Sequence, residues 1–228
     1  MNPIVIEVVD GIYVVRDDLV PGGTKARVAH LLFDDQHDEY VYAGPCQGYA
    51  QIALAYAAKV AGKKATLFCA KRMVMHQRTI EAACAGVTIH EVEHGYLSVV
   101  KSRARAYCYS SGAVMLPFGL ADRRILEGIA DVARSIVYVP TEVWSVAGSG
   151  TLSMALQVAW PDADFNAVVI GQKHNSIGKA KLWIAPERYE QRARSAPPFP
   201  SCDNYDAKAW QFIKKHAKPG ALFWNVAG

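Results

Sequence analysis

Apolar and polar positions along the chain switch between a period of two and a helical period, and the switching predicts the order of elements. Short runs rich in β-branched and aromatic residues read as strands at 12–15, 40–43, 64–69 and 87–92. Between them, 51–61 is alanine-rich and stops at Gly62, and 76–85 stops at Gly86. Glycine just past the last helical residue is a common helix end. A further helix is expected from about Thr24, after the turn Pro21-Gly22-Gly23. The alternation of strand and helix is the grammar of an α/β fold with a largely parallel, doubly wound sheet.

The second half repeats that grammar less regularly. An amphipathic helix is predicted at 121–135, and 136–140 (Ile-Val-Tyr-Val-Pro) reads as a buried strand or its approach. A strand at 144–147 runs into Gly148-Ser149-Gly150-Thr151 and a helix to about Trp160. Strands are expected at 166–170, 181–184 and 221–224, with a helix at 206–215. Residues 188–200 are Arg-rich and then Ala-Pro-Pro-Phe-Pro, the character of a surface loop. There is no internal repeat and no low-complexity tract.

Composition narrows the class. The 228 residues are 51% hydrophobic and 20% charged, with a mean hydropathy of +0.04, which suits a packed domain rather than a disordered chain. No run approaches the roughly 20 apolar residues of a membrane span, and the first residues lack the basic flank and apolar stretch of a secretory signal. A soluble cytoplasmic protein is expected. Lys plus Arg number 25 against 21 acids, a formal +4 that permits a phosphate-bearing or nucleic-acid partner without demanding one. The five cysteines (Cys46, Cys69, Cys84, Cys108, Cys202) show no C-x-x-C spacing, so disulfides and a zinc site are both poor readings. His90 and His94 stand at helical spacing, but the text around them alternates like a strand, which favours a surface pair over metal ligands.

Three short features stand above this background. Gly22-Gly23-Thr24-Lys25 delivers a lysine at a helix start, where backbone N–H groups and the helix dipole favour a neutral amine. Only a neutral amine attacks a carbonyl to form an imine; taken alone, Lys25 is as readily a solvated loop residue. Gly148-Ser149-Gly150-Thr151 between strand and helix can present backbone amides and two hydroxyls to an anion. It lacks the ending of a P-loop and the spacing of G-x-G-x-x-G, and it is also read as a tight turn that needs glycine. The third, Tyr205-Asp206-Ala207-Lys208, places a carboxylate in a first helical turn, where it is often no more than a dipole partner.

Taken in order, these features resemble the fold-type II (tryptophan synthase β-like) pyridoxal-phosphate (PLP) enzymes, most of all the 1-aminocyclopropane-1-carboxylate deaminase and D-cysteine desulfhydrase branch. Val15-Arg16-Asp17-Asp18-Leu19-Val20-Pro21-Gly22-Gly23-Thr24-Lys25-Ala26-Arg27 is similar to that branch's R-E/D-D…G-G-N/T-K-x-R. Gly148 to Leu152 resembles its phosphate loop, Asn204 to Ala209 its Y-E/T-G-K-A/S segment, and Leu222 to Gly228 its L-F-x-H-T-G-G ending. The resemblance implies a two-lobed α/β architecture with largely parallel sheets. Its larger, cofactor-binding lobe would comprise 1–37 and 117–228, and its smaller βαβ lobe 38–116.

The resemblance also implies roles. Lys25 carries the cofactor as a Schiff base and then moves a proton at the substrate α-carbon. Gly148, Ser149, Gly150 and Thr151 anchor the phosphate, Asp206 faces the pyridine nitrogen and keeps the ring protonated, and Tyr205 stacks on or near the reacting centre. A homodimer is expected on the same ground. Where the branch has Q-S-N-x-x-R-Q, this chain reads Pro45-Cys46-Gln47-Gly48-Tyr49-Ala50-Gln51. Cys46, Gln47, Gly48 and Tyr49 thus occupy the substrate-carboxylate segment, with Cys46 either a different nucleophile or a buried spectator. The tail has Asn225-Val226-Ala227-Gly228 for His-Thr-Gly-Gly, and the chain is shorter than is usual in the family. Both point to a compact form with an altered pocket.

The leading expectation is therefore a PLP-dependent enzyme acting at the α-carbon or β-position of an amino-acid-type substrate by deamination, elimination, racemisation or decarboxylation. That group is small or is carried on a larger molecule such as a modified nucleotide or DNA, to which Arg188, Arg192 and Arg194 are suited. The alternatives are a PLP-binding protein of the same fold without turnover and a phosphoribosyltransferase-like phosphate binder. The last lacks the two acids that precede such a loop, since Trp144-Ser145-Val146 stands there.

Overall fold

The computed structural model of the protein describes residues 3–93, 95–171 and 175–227. The chain forms two compact units, Met1–Thr24 with Leu126–Gly228 and Lys25–Ile125. It passes between them at 24/25 and 125/126, against the expected lobe edges at 37/38 and 116/117.

The first unit is built on a six-stranded sheet in the order β1-β2-β10-β7-β8-β9. The strands are β1 (Ile6–Val9), β2 (Ile12–Arg16), β7 (Glu142–Ala147), β8 (Asp164–Val169), β9 (Lys181–Ile184) and β10 (Leu222–Asn225). All neighbours are parallel except β1 and β2, which are antiparallel with Val9 opposite Ile12. Asp10 and Gly11 join that pair with φ of 51° and 76°, the positive values a two-residue hairpin turn requires. Every residue of β7 is buried, as expected of a strand covered on both faces. One face packs Trp144 and Val146 with Val168, Trp210 and Phe223; the other packs Ala147 with Ala167, Val169 and Ile177. The helices are α6 (Thr151–Ala159) and α7 (Trp210–His216), while α5 (Arg123–Arg134) begins as the chain re-enters this unit.

The second unit holds a four-stranded, wholly parallel sheet in the order β5-β4-β3-β6. Its strands are β3 (Glu39–Ala43), β4 (Lys64–Ala70), β5 (Thr88–Val92) and β6 (Val114–Met115), and its helices α2 (Ala50–Ala61), α3 (Gln77–Cys84) and α4 (Leu97–Ser111). Gly62 ends α2 at φ 66°, as its sequence position predicts. Val41, Ala43, Phe68, Val92, Val100 and Ala104 form the core. On β5, His90 stacks on Phe68 with centroids 4.6 Å apart, so its ring packs the sheet; His94 lies outside the described residues.

Several expectations are corrected. The helix predicted from Thr24 is only one turn, α1 (Gly23–Ala26), followed by a 3-10 turn at Ala29–Leu32. Val28, at φ −126° and ψ −3°, breaks the helical path between them. Residues 136–140 form no strand. Val137 and Val139 are exposed, and the apolar alternation serves to stack Tyr138 on Tyr13 at 4.1 Å. Conversely, β1, α4 and β6 were not anticipated; α4 faces the core with Val100, Ala104, Tyr107 and Cys108 at helical spacing, but only the first two are fully buried and the stripe mixes small and polar-tipped residues. Among the described residues no helix is long and apolar enough to cross a membrane.

Candidate functional site

In the first unit the chain's two ends are pinned to each other by side chains. Arg16, at the end of β2, forks onto Asp18 with Nε–Oδ1 at 2.8 Å and Nη2–Oδ2 at 2.7 Å, and pairs with Glu7 as well. The pair is nearly solvent-free, with side chains 5% and 1% exposed, and Asp18 raises the guanidinium pKa further. The parallel register sets Asn225 opposite Arg16. There its Nδ2 donates to Asp18 Oδ1 at 2.8 Å and to the Pro200 carbonyl at 2.9 Å. One residue earlier, Trp224 Nε1 donates to Asp17 Oδ2 at 3.0 Å and Thr24 Oγ1 at 2.9 Å. Thr24, the residue before Lys25, is therefore fixed by the closing strand.

The glycine-rich loop follows β7 in the same unit. Gly150, at φ 78°, caps α6, and Ser149 Oγ lies 3.0 Å from Thr151 Oγ1. The Gly148 N–H donates to Tyr205 Oη at 2.7 Å, and a Cβ on Gly148 would stand 3.0 Å from that oxygen, so a side chain there would push the tyrosine back by a few tenths of an ångström. Burial, with the charge of Asp206 adding, pushes the Tyr205 phenol far up and keeps it protonated. Asp206 is wholly buried and opens the 3-10 turn Asp206–Ala209. Lys208, also wholly buried, donates to the carbonyls of Arg188 (2.8 Å) and Tyr189 (3.3 Å) and so ties down the 188–200 loop. Burial lowers its pKa. Arg192 and Arg194 stay exposed, with long ion pairs to Asp203 (3.6 Å) and Glu187 (3.7 Å).

The second unit begins at Lys25. Burial lowers its pKa from 10.5 to about 8, and its Nζ donates to the Gly119 carbonyl. At that value about half the amines are neutral at pH 8, against well under about 1% for an ordinary lysine. The 45–49 segment leads from β3 into α2 and is held by its backbone. Gln51 Nε2 donates to the carbonyls of Cys46 (2.6 Å) and Gly48 (2.9 Å), while Gln51 Oε1 accepts from Thr79 Oγ1 at 3.2 Å. Arg78 donates to the Gln47 carbonyl and lies over the Tyr49 ring at 5.2 Å. Cys46 is buried near Cys69, whose thiol burial pushes up to about 11.

The structure thus brings Tyr205 onto Gly148, Ser149 onto Thr151, and the Cys46–Tyr49 segment under Gln51, Thr79 and Arg78. Tyr205 accepts the Gly148 N–H at its hydroxyl oxygen. Gly119, Tyr42, Gln51, Thr79, Arg78 and Trp224 went unnoticed in the sequence. A Pro-Phe-Gly turn at 117–119 was the available sign for Gly119.

No protein-family model matches the chain, and no curated protein matches it. Solved structures do. An ACC deaminase homologue aligns with a TM-score of 0.79 at 16% identity over 95% of this chain and 84% of its own. Diaminopropionate ammonia lyase of Escherichia coli, in its apo form, aligns at 0.68 with 15% identity over 100% and 83%. Maize serine racemase aligns at 0.70 with 10% identity over 99% and 87%. The chain has the fold-type II architecture. The resemblance carried by the motifs is borne out at the level of the fold.

Proposed function

We propose that this fold-type II protein is a PLP-dependent enzyme that holds the cofactor covalently through Lys25 and acts at the α-carbon of an amino-acid-type substrate by deamination, elimination or decarboxylation. The observation that carries the reading is the Lys25 amine, which follows the pinned Thr24 and is held on the Gly119 carbonyl, with burial lowering its pKa. The other residues fit the group. Gly148, Ser149, Gly150 and Thr151 offer a small-residue cradle with two hydroxyls and a left-handed glycine, suited to a phosphate. Asp206 is a buried carboxylate that would hold a proton on a ring nitrogen. When bound, pyridoxal phosphate supplies an aldehyde for an amine and a ring that withdraws electrons from the substrate α-carbon.

The chain's own part is to bind and to move protons. Lys25, once released, would take or return the proton at the α-carbon. Tyr205 stays protonated on the Gly148 amide and keeps the loop closed up to its glycine. Gln47, Gly48 and Tyr49 would meet the substrate carboxylate. The unit that holds them has 13 Lys and Arg against 8 Asp and Glu, a net +5, which favours an anionic substrate or an amino-acid group linked to a nucleotide.

The test is a visible absorption spectrum with added PLP, wild type beside Lys25→Ala, followed by borohydride reduction and peptide mass mapping. A yellow wild type with the cofactor trapped on Lys25 is expected, and a colourless variant. Absence of a band, or one that survives Lys25→Ala, overturns the reading. A second reading, cofactor binding without turnover, is favoured by one observation: Cys46 is buried at the segment where the branch has its serine. Product formation from free or nucleotide-linked amino acids separates the two.

A further inference from the structure

The turn that receives Lys25 is conformationally unusual. Gly119 sits at φ 66° and ψ 14°, and Leu120 after it at φ 51°. A glycine takes the left-handed region freely, whereas a leucine there is strained and persists only where its surroundings impose it. Leu120 is wholly buried; its N–H donates to the Pro117 carbonyl at 2.9 Å and its own carbonyl accepts from Asp122 at 3.0 Å. The outcome of this paired left-handed step is a Gly119 carbonyl turned to the Lys25 amine.

The other side of Gly119 is held as well. Its N–H donates to Tyr42 Oη at 3.2 Å. Tyr42 is 1% exposed within β3, and its ring lies over Gly44, where a Cβ would stand 2.5 Å from Cε1. Glycine at 44, the ring of Tyr42, the Gly119 peptide and the Lys25 amine thus form one chain of contacts inside a single unit.

We infer that the Gly119 carbonyl is the berth of the Lys25 amine and that Tyr42 is the positioning residue that sets it. The inference rests on Lys25 being the cofactor-bearing lysine. A carbonyl that takes one amine hydrogen fixes Nζ in place and leaves the lone pair of the neutral amine directed elsewhere. It also offsets part of what burial costs the ammonium form. Capture of an aldehyde consumes that neutral amine: the nitrogen lone pair forms the new bond to carbon, and both amine hydrogens leave with the aldehyde oxygen as water. An amine already held at one position meets the aldehyde at a fixed geometry.

Two measurements on the full chain test this, with Tyr42→Phe and Gly119→Ala, both shown to be folded by thermal melts. The first needs no cofactor: competitive acetylation with acetic anhydride across about pH 6–11 gives the titration midpoint of Lys25 by peptide mass, with the exposed Lys59 as internal reference. The second is the rate at which added PLP is captured on Lys25 as a borohydride-reducible adduct. The wild-type midpoint is expected near 8. In both variants it falls further, because the oxygen that offsets burial is misplaced, and capture slows by about five- to tenfold, the worth of one hydrogen bond. Folded variants with the wild-type midpoint and rate overturn the berth. So does a midpoint that rises toward that of ordinary lysine, which would make Tyr42 only a barrier to water. If wild type captures no cofactor at Lys25, the cofactor reading fails while the acetylation midpoints still decide the berth.

Discussion

The two units hold their functional segments by opposite means. In the first, the ties at the chain's ends are side chain to side chain, locally from Arg16 to Asp18 and across 200 or more positions from Asn225 to Asp18 and from Trp224 to Asp17 and Thr24. In the second, side chain meets backbone: Gln51 with the carbonyls of Cys46 and Gly48, Arg78 with that of Gln47, Lys25 with that of Gly119. A bond between two side chains constrains the identity of both residues. A bond to a carbonyl constrains only the donor, because every residue brings a carbonyl. The second unit is therefore freer in the side chains it carries at Cys46 and Gln47, whose carbonyls are what is held. Charge divides the same way, with a net −1 in the first unit (12 Lys and Arg, 13 Asp and Glu) and +5 in the second.

The largest effect that tests this contrast is in the first unit. Asp18→Ala strips Arg16 of its buried fork and leaves it only Glu7, whose side chain is 46% exposed. A stability loss of about 3 kcal/mol is expected by urea unfolding. Asp122→Ala in the second unit breaks a fork to Arg124, whose side chain is 55% exposed, and should cost less than about 1 kcal/mol. Equal losses would break the comparison.

A smaller effect probes the backbone-held segment. Gln51→Leu keeps the volume but removes the donor to the buried Cys46 carbonyl and the half-buried Gly48 carbonyl, and leaves the Thr79 hydroxyl only its longer bond to the Cys46 carbonyl at 3.4 Å. About 2 kcal/mol should be lost. Cys46→Ala, which leaves the carbonyl in place, should cost less than Gln51→Leu in the same urea series. The reverse order would mean that the segment is held by the Cys46 side chain.

What was legible follows from the same physics. Strand and helix order could be read wherever one face buries a full stripe, as in α2, β4 and β7. α4 escaped because its core stripe, Val100, Ala104, Tyr107 and Cys108, keeps helical spacing but contains only one strongly apolar residue. β1 escaped although Asp10-Gly11 is a strong hairpin signal, because a strand of Ile-Glu-Val-Val with all its residues at least partly exposed reads weakly. Residues 136–140 misled because alternating apolar side chains also suit a segment that lays one tyrosine on another. At the candidate site, Gly22 to Lys25 and Gly148 to Thr151 could be picked out because glycine and small residues mark tight backbone. Trp224 could not be matched to Thr24, 200 positions away, nor Tyr42 to Gly119, since neither pairing leaves a local trace.

The finest test compares two lysines, Lys208 wholly buried and Lys25 half-buried. Lys208 in the first unit and Lys25 in the second both donate to carbonyls, and burial lowers both. Lys208 gathers two carbonyls and holds a loop, so Lys208→Met should destabilise. Lys25 has its pKa pulled from 10.5 to about 8, so below pH 8 the folded protein carries the cost of a poorly solvated ammonium. Between those values the unfolded chain binds more protons than the folded one, and wild-type stability rises with pH. Lys25→Met should then be more stable than wild type by about 1–2 kcal/mol at pH 7, after allowance for solvent screening. That advantage should shrink as pH rises through 8 and vanish near 10.5. Urea midpoints at pH 7, 8, 9 and 10 read the gap directly. A gap that stays flat would mean that Lys25 titrates as an ordinary lysine, and the second unit would then lack the neutral amine on which its chemistry depends.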